Sequence, residues 1–368
     1  MARILTLLVV VVVGVISALV WQVRAPRRAS STGDPDHDVD EDVVAAAPTG
    51  ALATRAVVAG LRQEGMSRGV VVHRCTVDLL LEAVDGPPTP ATCTTDVDLS
   101  VLRWVAPGSL VDVLVDPADP DGPARASLLP GATRDRVTGR SSLPDVDCGR
   151  VDAVFTDADD RRIDEPVADR AIVGCVDVMS SEHRTVHSTT LGLWLVGAGR
   201  AVTVSDRFGV LGIAAVARGG EVAVRVDPAD ERRVVVDAPG AVRAWAVSLP
   251  GPAELDRARR SLGLGGAVGR VTAAGPSGRQ AGVRHGLRVE VVPVDPTTGE
   301  ATGAPATADL LLPIPDQLLL VPQSAVVLRD PATARRDDEE AGPVDLDATA
   351  RARARCGIDA AGWSEATG

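Results

Sequence analysis

The 368-residue chain has no lysine, no asparagine and no tyrosine, and only two phenylalanines. All 38 of its basic residues are therefore arginine. Lysine, asparagine and tyrosine share AT-rich codons, so the gap records a GC-rich genome rather than a function. It removes chemistries all the same. Without lysine there is no Walker A phosphate loop, no Schiff base and no S-x-x-K nucleophile pair. Without asparagine there is no kinase catalytic-loop asparagine, no Cys-His-Asn triad and no N-glycosylation acceptor. A Gly-x-Ser-x-Gly elbow and an HExxH metal helix are also missing. Beyond residue 30 the chain carries 34 arginines against 50 acidic residues. That balance argues against nucleic acid as a partner.

What is there is aliphatic. Hydrophobic residues make up 45% of the chain, enough for real cores, and valine, alanine and leucine dominate them. Residues 4–20 form an uncharged run of 17, followed by Trp21 and then Arg24, Arg27 and Arg28. In hydrocarbon such a run has to be helical, because every backbone group needs an internal partner. Trp21 sits where an interfacial anchor belongs. Residues 1–23 are therefore expected to be a transmembrane anchor that meets the lipid bilayer through residues 4–21. The Val23-Arg24-Ala25 stretch before Pro26 is a poor signal-peptide cleavage context. The flanking arginines favour a cytoplasmic face for the remainder of a single-pass protein. Paired cysteines would favour the exterior, and the sequence leaves the side open. Residues 24–50, acidic from 34 to 42, read as a solvated, self-repelling linker; a calcium loop would need a glycine and a distal glutamate.

Further on, one strand-like segment recurs. Gly108-Ser-Leu-Val-Asp-Val-Leu-Val-Asp116-Pro117 is followed by Gly219-Gly-Glu-Val-Ala-Val-Arg-Val-Asp227-Pro228. A weaker copy, Ser324-Ala-Val-Val-Leu-Arg-Asp330-Pro331, has Ser324 in the glycine's place. The aspartates are 111 and 103 residues apart. Alternating valines pack one face of a sheet, and Asp before Pro starts a turn. Each copy follows further strands rich in β-branched residues. The expected fold is mainly β: one N-terminal transmembrane helix, then three small antiparallel β-barrel or sandwich modules at 51–130, 147–240 and 264–333. Residues 131–146 link the first two modules. Residues 241–263 link the next pair and hold a short spacer helix at 252–262, with Pro252 in the first turn, Glu254 and Asp256 early, arginines late and Gly263 at its end. Residues 334–368 read as a charged tail with an exposed helix from about Ala348 to Cys356, ended by Gly357.

Five cysteines fall as Cys75 and Cys93 in the first module, Cys148 and Cys175 in the second, and Cys356 alone. Pairing within modules makes Cys75–Cys93 and Cys148–Cys175 the candidate disulfides. His73 and Cys75 alternate on one strand and with Cys93 would supply three zinc ligands, but the spacing matches no zinc pattern and no metal site is assigned. His183 and His187 are four apart, yet their surroundings read as a loop or strand end, and both are expected to be solvent-exposed. The glycine-rich segment 261–269 has a helix before it and a strand after it, the reverse of a dinucleotide loop, so no cofactor is assigned. Turn chemistry accounts for the aspartates at 119–122 and 157–160. No catalytic residue is assigned.

With this architecture the chain resembles a loose group of uncharacterised actinobacterial single-pass membrane proteins whose β-rich modules end in a G-x-x-V-x-V-x-V-D-P type strand. The resemblance is carried by the 108–117 and 219–228 segments and the anchor. It implies no activity and transfers no residue role. The expected function is that of a membrane-anchored, non-catalytic binding or scaffolding protein with a protein partner. The alternatives are a membrane-tethered hydrolase with a carboxylate/histidine site at a module junction and a structural envelope component.

Overall fold

A computed structural model describes residues 52–68, 72–83, 86–115, 126–139, 146, 148, 153–154, 166–179, 186–230, 232–330 and 342–363. The fold is mainly β, built as three barrel-like modules. Module 1 comprises β1 (Leu52–Arg68), β2 (Val72–Leu81), β3 (Thr89–Asp98), a 3₁₀ turn (Leu102–Val105), β4 (Leu110–Val115), β5 (Ala126–Leu128) and α1 (Pro130–Thr138). Module 2 comprises β6 (Ala153–Val154), β7 (Val167–Met179), β8 (Val186–Leu195), β9 (Arg200–Gly209), α2 (Val210–Ala215), β10 (Glu221–Val226), β11 (Val234–Val236) and α3 (Ala238–Val247). After α4 (Pro252–Ser261) comes module 3, with β12 (Val268–Ala281), β13 (Arg284–Pro293), β14 (Ala306–Pro313), α5 (Ile314–Gln317) and β15 (Ala325–Val327), and then α6 (Leu346–Ala361).

The chain takes the same path in each module. Three strands meander (β1–β3, β7–β9 and β12–β14, counted below as first to third), a helical turn follows, and a fourth (β4, β10 and β15) returns to pair antiparallel with the first of the three. The sheet orders are β3-β2-β1-β4-β5, β11-β10-β7-β8-β9-β6 and β14-β13-β12-β15. The likeness extends to single residues. The first strand of each module carries a bulge at the same register, leaving Ala59, Gly174 and Thr272 unopposed. The turn into the returning strand places one residue in the left-handed region: Gly108 (φ 91°), Gly219 (φ 78°) and Gln323 (φ 73°). Their amides donate to the carbonyls of Val58, Val173 and Val271, whose amides donate back to Ser109, Gly220 and Ser324. The position equivalent to the first two glycines is thus Gln323, one residue before Ser324, where the sequence pattern placed it.

Period-two burial explains why these segments are strands. On β2 the side chains of His73, Cys75, Val77, Leu79 and Leu81 are buried, and on β13 those of His285, Leu287, Val289 and Val291. The modules close on one another in a ring. The 3₁₀ turn of module 1 meets α2, α2 meets α5, and α5 meets β1. Arg103 Nη1 donates to Ala215 O (3.3 Å) and Trp104 Nε1 to Arg218 O (3.3 Å), tying module 1 to module 2. Gln63 Oε1 accepts from the Ile314 amide (3.4 Å), tying module 3 to module 1.

Several expectations are corrected here. No helix among the described residues is long and apolar enough to cross a membrane; residues 4–21 lie outside the described residues. Modules this small bury little surface alone and are expected to pack on one another or be closed by disulfides, and they do pack together. One hydrophobic cluster runs through all three, including Val58, Leu193 and Val289. The helix at 252–261 packs instead of spacing: Leu255 and Ala258 are buried with Val268, Val327, Ala348 and Ala352. The 334–368 segment contains more than an exposed helix. Helix α6 runs past Gly357 to a left-handed cap at Gly362, and Ala348, Ala352, Ala354 and Ile358 are buried. Gly357 continues the helix because a side chain there would meet the carbonyl of Gly108 at 2.5 Å.

Cys148 and Cys175 form a disulfide that closes a 27-residue separation. Cys75 and Cys93 remain thiols. The β2–β3 register opposes Cys75 to Thr95 and Cys93 to Val77, so the two share a face but sit diagonally, about 7–8 Å apart, beyond disulfide reach. Burial pushes the Cys75 thiol up to about 12 and the Cys93 thiol to about 11. Replacing Cys148 and Cys175 together by serine should lower stability by about 3.5 kcal/mol, the loop-closure value for such a separation. Urea denaturation checks this, and an unchanged midpoint would reject it.

Candidate functional site

The junction between modules 2 and 3 encloses a cavity of about 520 Å³. Module 2 supplies the end of β9, the start of α2 and the first turns of α3; module 3 supplies the bulged part of β12, the start of β13, Gln317 and Gln323. The walls are largely apolar, with Phe208, Val210, Leu211, Val242 and Leu287. The polar side chains are Asp206, Arg207, Arg243, Thr272, His285, Gln317 and Gln323.

Most of those polar groups are already engaged. Asp206 Oδ1 accepts from the amide of Arg207 (2.7 Å). The Thr272 hydroxyl donates to Glu290 Oε1 (2.7 Å). Buried Gln317 donates from Nε2 to the carbonyls of His285 (3.3 Å) and Leu312 (3.4 Å). Gln323, the positive-φ non-glycine residue among those described, directs Nε2 to Thr272 O (3.4 Å). A glutamine held in a conformation that glycine adopts in the sister modules is a local departure from backbone preference, of the kind that marks functional positions.

His285 is different. It is 2% exposed, and among the described residues neither ring nitrogen has a hydrogen-bond partner; nor does either nitrogen of His187, which is fully buried on β8. The two rings face each other across the junction, centroids 6.4 Å apart and tilted by 59°. Burial lowers the pKa of both below the ordinary histidine value, and the neighbouring His285 lowers that of His187 further.

The modular repeat explains the contrast. His73, His187 and His285 each occupy the second position of their module's second strand. In module 1, Gln63 Nε2 donates to His73 Nδ1 (2.8 Å) while its carbonyl oxygen holds Ile314. The positions equivalent to Gln63, each opposite the residue two beyond the histidine, are Val178 and Pro276. Neither side chain can bond an imidazole. The module 3–1 junction is thus sealed by a glutamine, while the module 2–3 junction keeps two unbonded imidazoles beside a cavity.

Against the sequence expectations, His187 lies in a buried strand, not in an exposed loop, because the polar run after it continues β8 with Thr189 and Thr190 buried. His183 lies outside the described residues, as do the aspartates at 119–122 and 157–160 and the 34–42 stretch. His73 and Cys75 do share a buried face of β2, but among the described residues no group of three ligands could hold a metal. The structure brings a histidine and a carboxylate, His285 and Asp206, to one module junction. His285 was missed by motif reading. Its signal was the recurrence of a histidine with an aliphatic residue four positions on: His73-Arg-Cys-Thr-Val, His187-Ser-Thr-Thr-Leu and His285-Gly-Leu-Arg-Val.

No protein-family model and no curated protein sequence matches this chain.

Proposed function

We propose that the protein is a non-catalytic binding protein that takes a small ligand into the cavity between modules 2 and 3. One observation carries this: the module ring is pinned by direct hydrogen bonds at its other two junctions, and at this one it holds a cavity of about 520 Å³ with apolar walls and a buried imidazole. That volume and mixture, mostly apolar with a few fixed polar groups, are those of small-molecule sites. The left-handed Gln323 at the cavity wall supports the same reading, since backbone departures concentrate at binding sites. The Cys148–Cys175 disulfide supports an oxidising compartment for these modules.

The test is a plug. Ala274 lines the cavity, and its partner across the β12–β13 pair is buried Val289, so its side chain stands on the inner face of the sheet with Leu287. Ala274→Phe should leave the circular dichroism spectrum and melting cooperativity unchanged while weakening the binding of small amphiphiles at least about tenfold, roughly 1.4 kcal/mol. Calorimetric titration reads this directly. Unaltered binding in a folded Ala274→Phe variant would place the ligand elsewhere.

A further inference from the structure

We infer that the ligand is an anionic amphiphile whose apolar body carries a hydroxyl: an acid group at the Arg207–Arg243 rim and a hydroxyl at His285. The inference rests on the binding reading above and specifies the chemistry. Two arginines, Arg207 and Arg243, are among the residues around the cavity, against one carboxylate. That carboxylate, Asp206, is buried and turned onto its own following amide. Arg207 is exposed, and its guanidinium makes no ion pair among the described residues. Arg243 reaches Asp237 only at 3.6 Å, with its own side chain 62% exposed. An exposed pair held that loosely is worth little and is easily exchanged for a ligand anion. A planar guanidinium binds a carboxylate through two parallel hydrogen bonds, so an acid head group suits this rim better than a cationic or neutral one.

The floor asks for something else. A neutral imidazole offers one donor and one acceptor, and those of His285 are both unbonded at 2% exposure. A hydroxyl can meet whichever nitrogen faces it, donating to the bare nitrogen or accepting from the N–H. Between rim and floor, Phe208, Leu211, Val242 and Leu287 present hydrocarbon to the body of the molecule.

The probes are 10-hydroxydecanoate, decanoate and decyltrimethylammonium, titrated calorimetrically at pH 7.5 into the full chain. The hydroxy acid should bind at least about tenfold more tightly than decanoate, and decanoate at least about tenfold more tightly than the cation. The paired substitution Arg207→Gln and Arg243→Gln should abolish the preference for the anion. His285→Phe, which keeps a ring in the floor, should abolish only the preference for the hydroxyl, and this difference within one variant does not depend on its overall stability. Equal binding of anion and cation, blocked by Ala274→Phe, would overturn the inference and leave the binding reading standing. Equal affinity for decanoate and its hydroxylated form would overturn the role of His285. Failure of all three probes to bind would overturn the inference, and if other amphiphiles are still excluded by the plug the binding reading survives it.

Discussion

Replacing Arg353 by methionine should destabilise the protein by about 3–5 kcal/mol, the cost expected when a buried charged group's partners lose it. Arg353 is 1% exposed on α6. Its Nη1 donates to Leu318 O (3.3 Å), and its Nη2 to Leu319 O (3.0 Å), Ser324 Oγ (3.0 Å) and Ala325 O (3.2 Å). Leu318 and Leu319 follow directly on α5, where a helical turn leaves carbonyls unpaired and the local dipole favours a cation. The guanidinium therefore closes the end of α5, and through Ser324 and Ala325 it holds the entry to the returning strand of module 3. Burial lowers its pKa to about 10, so it stays charged at neutral pH. Methionine keeps length and apolar bulk but strands three buried carbonyls, each worth about 1–3 kcal/mol unpaired. Arg353→Lys should recover only part of the loss, because an ammonium on one stem cannot span four acceptors. Urea midpoints of the three proteins check this. A methionine variant within about 1 kcal/mol of the parent would show that α6 is held by its alanine face alone.

The same residue shows how far the sequence could be read. Strands announce themselves through alternating valines, and the Gly108 and Gly219 turns through glycine, the residue that takes positive φ without strain. The third turn is hidden because glutamine does not advertise that conformation, and the pattern slid by one to Ser324. Helix α6 reads as charged because its buried stripe is mostly alanine, with Thr349, Arg353 and a single isoleucine, Ile358, among arginines and aspartates. Gly357 reads as a stop, yet the glycine is needed for close approach to Gly108. The cavity was illegible for a stronger reason. It depends on Pro276 and Val178 replacing a glutamine at equivalent register positions, and register is known only once the strands are paired. The ring contacts between modules join residues about a hundred positions apart and leave no local periodicity.

Acid should loosen the module 2–3 junction before the rest of the molecule. His187 and His285 have folded-state pKa values lowered by burial, against about 6.5 in an unfolded chain. Above pH 6.5 both imidazoles are neutral in either state, and their contribution to stability is fully present. As pH falls below 6.5 the unfolded chain takes up protons that the folded junction refuses. Stability then drops by up to about 1.4 kcal/mol per pH unit for each histidine, until the folded imidazoles protonate too. The first charge to enter opposes the second, since the rings lie 6.4 Å apart, so the pair holds out to lower pH than either would alone. His187→Phe with His285→Phe removes both groups while keeping a ring at each position. Between pH 7.5 and 5 the parent should lose stability relative to this variant, with the gap changing by up to about 2.7 kcal/mol per pH unit. Carboxylates and the other histidines are common to both proteins and cancel in the difference. Hydrogen exchange should show β8 and β13 opening first, because the charge enters between them. A stability gap independent of pH would mean that the folded imidazoles titrate as they do in the unfolded chain, and that the junction admits enough water to solvate them.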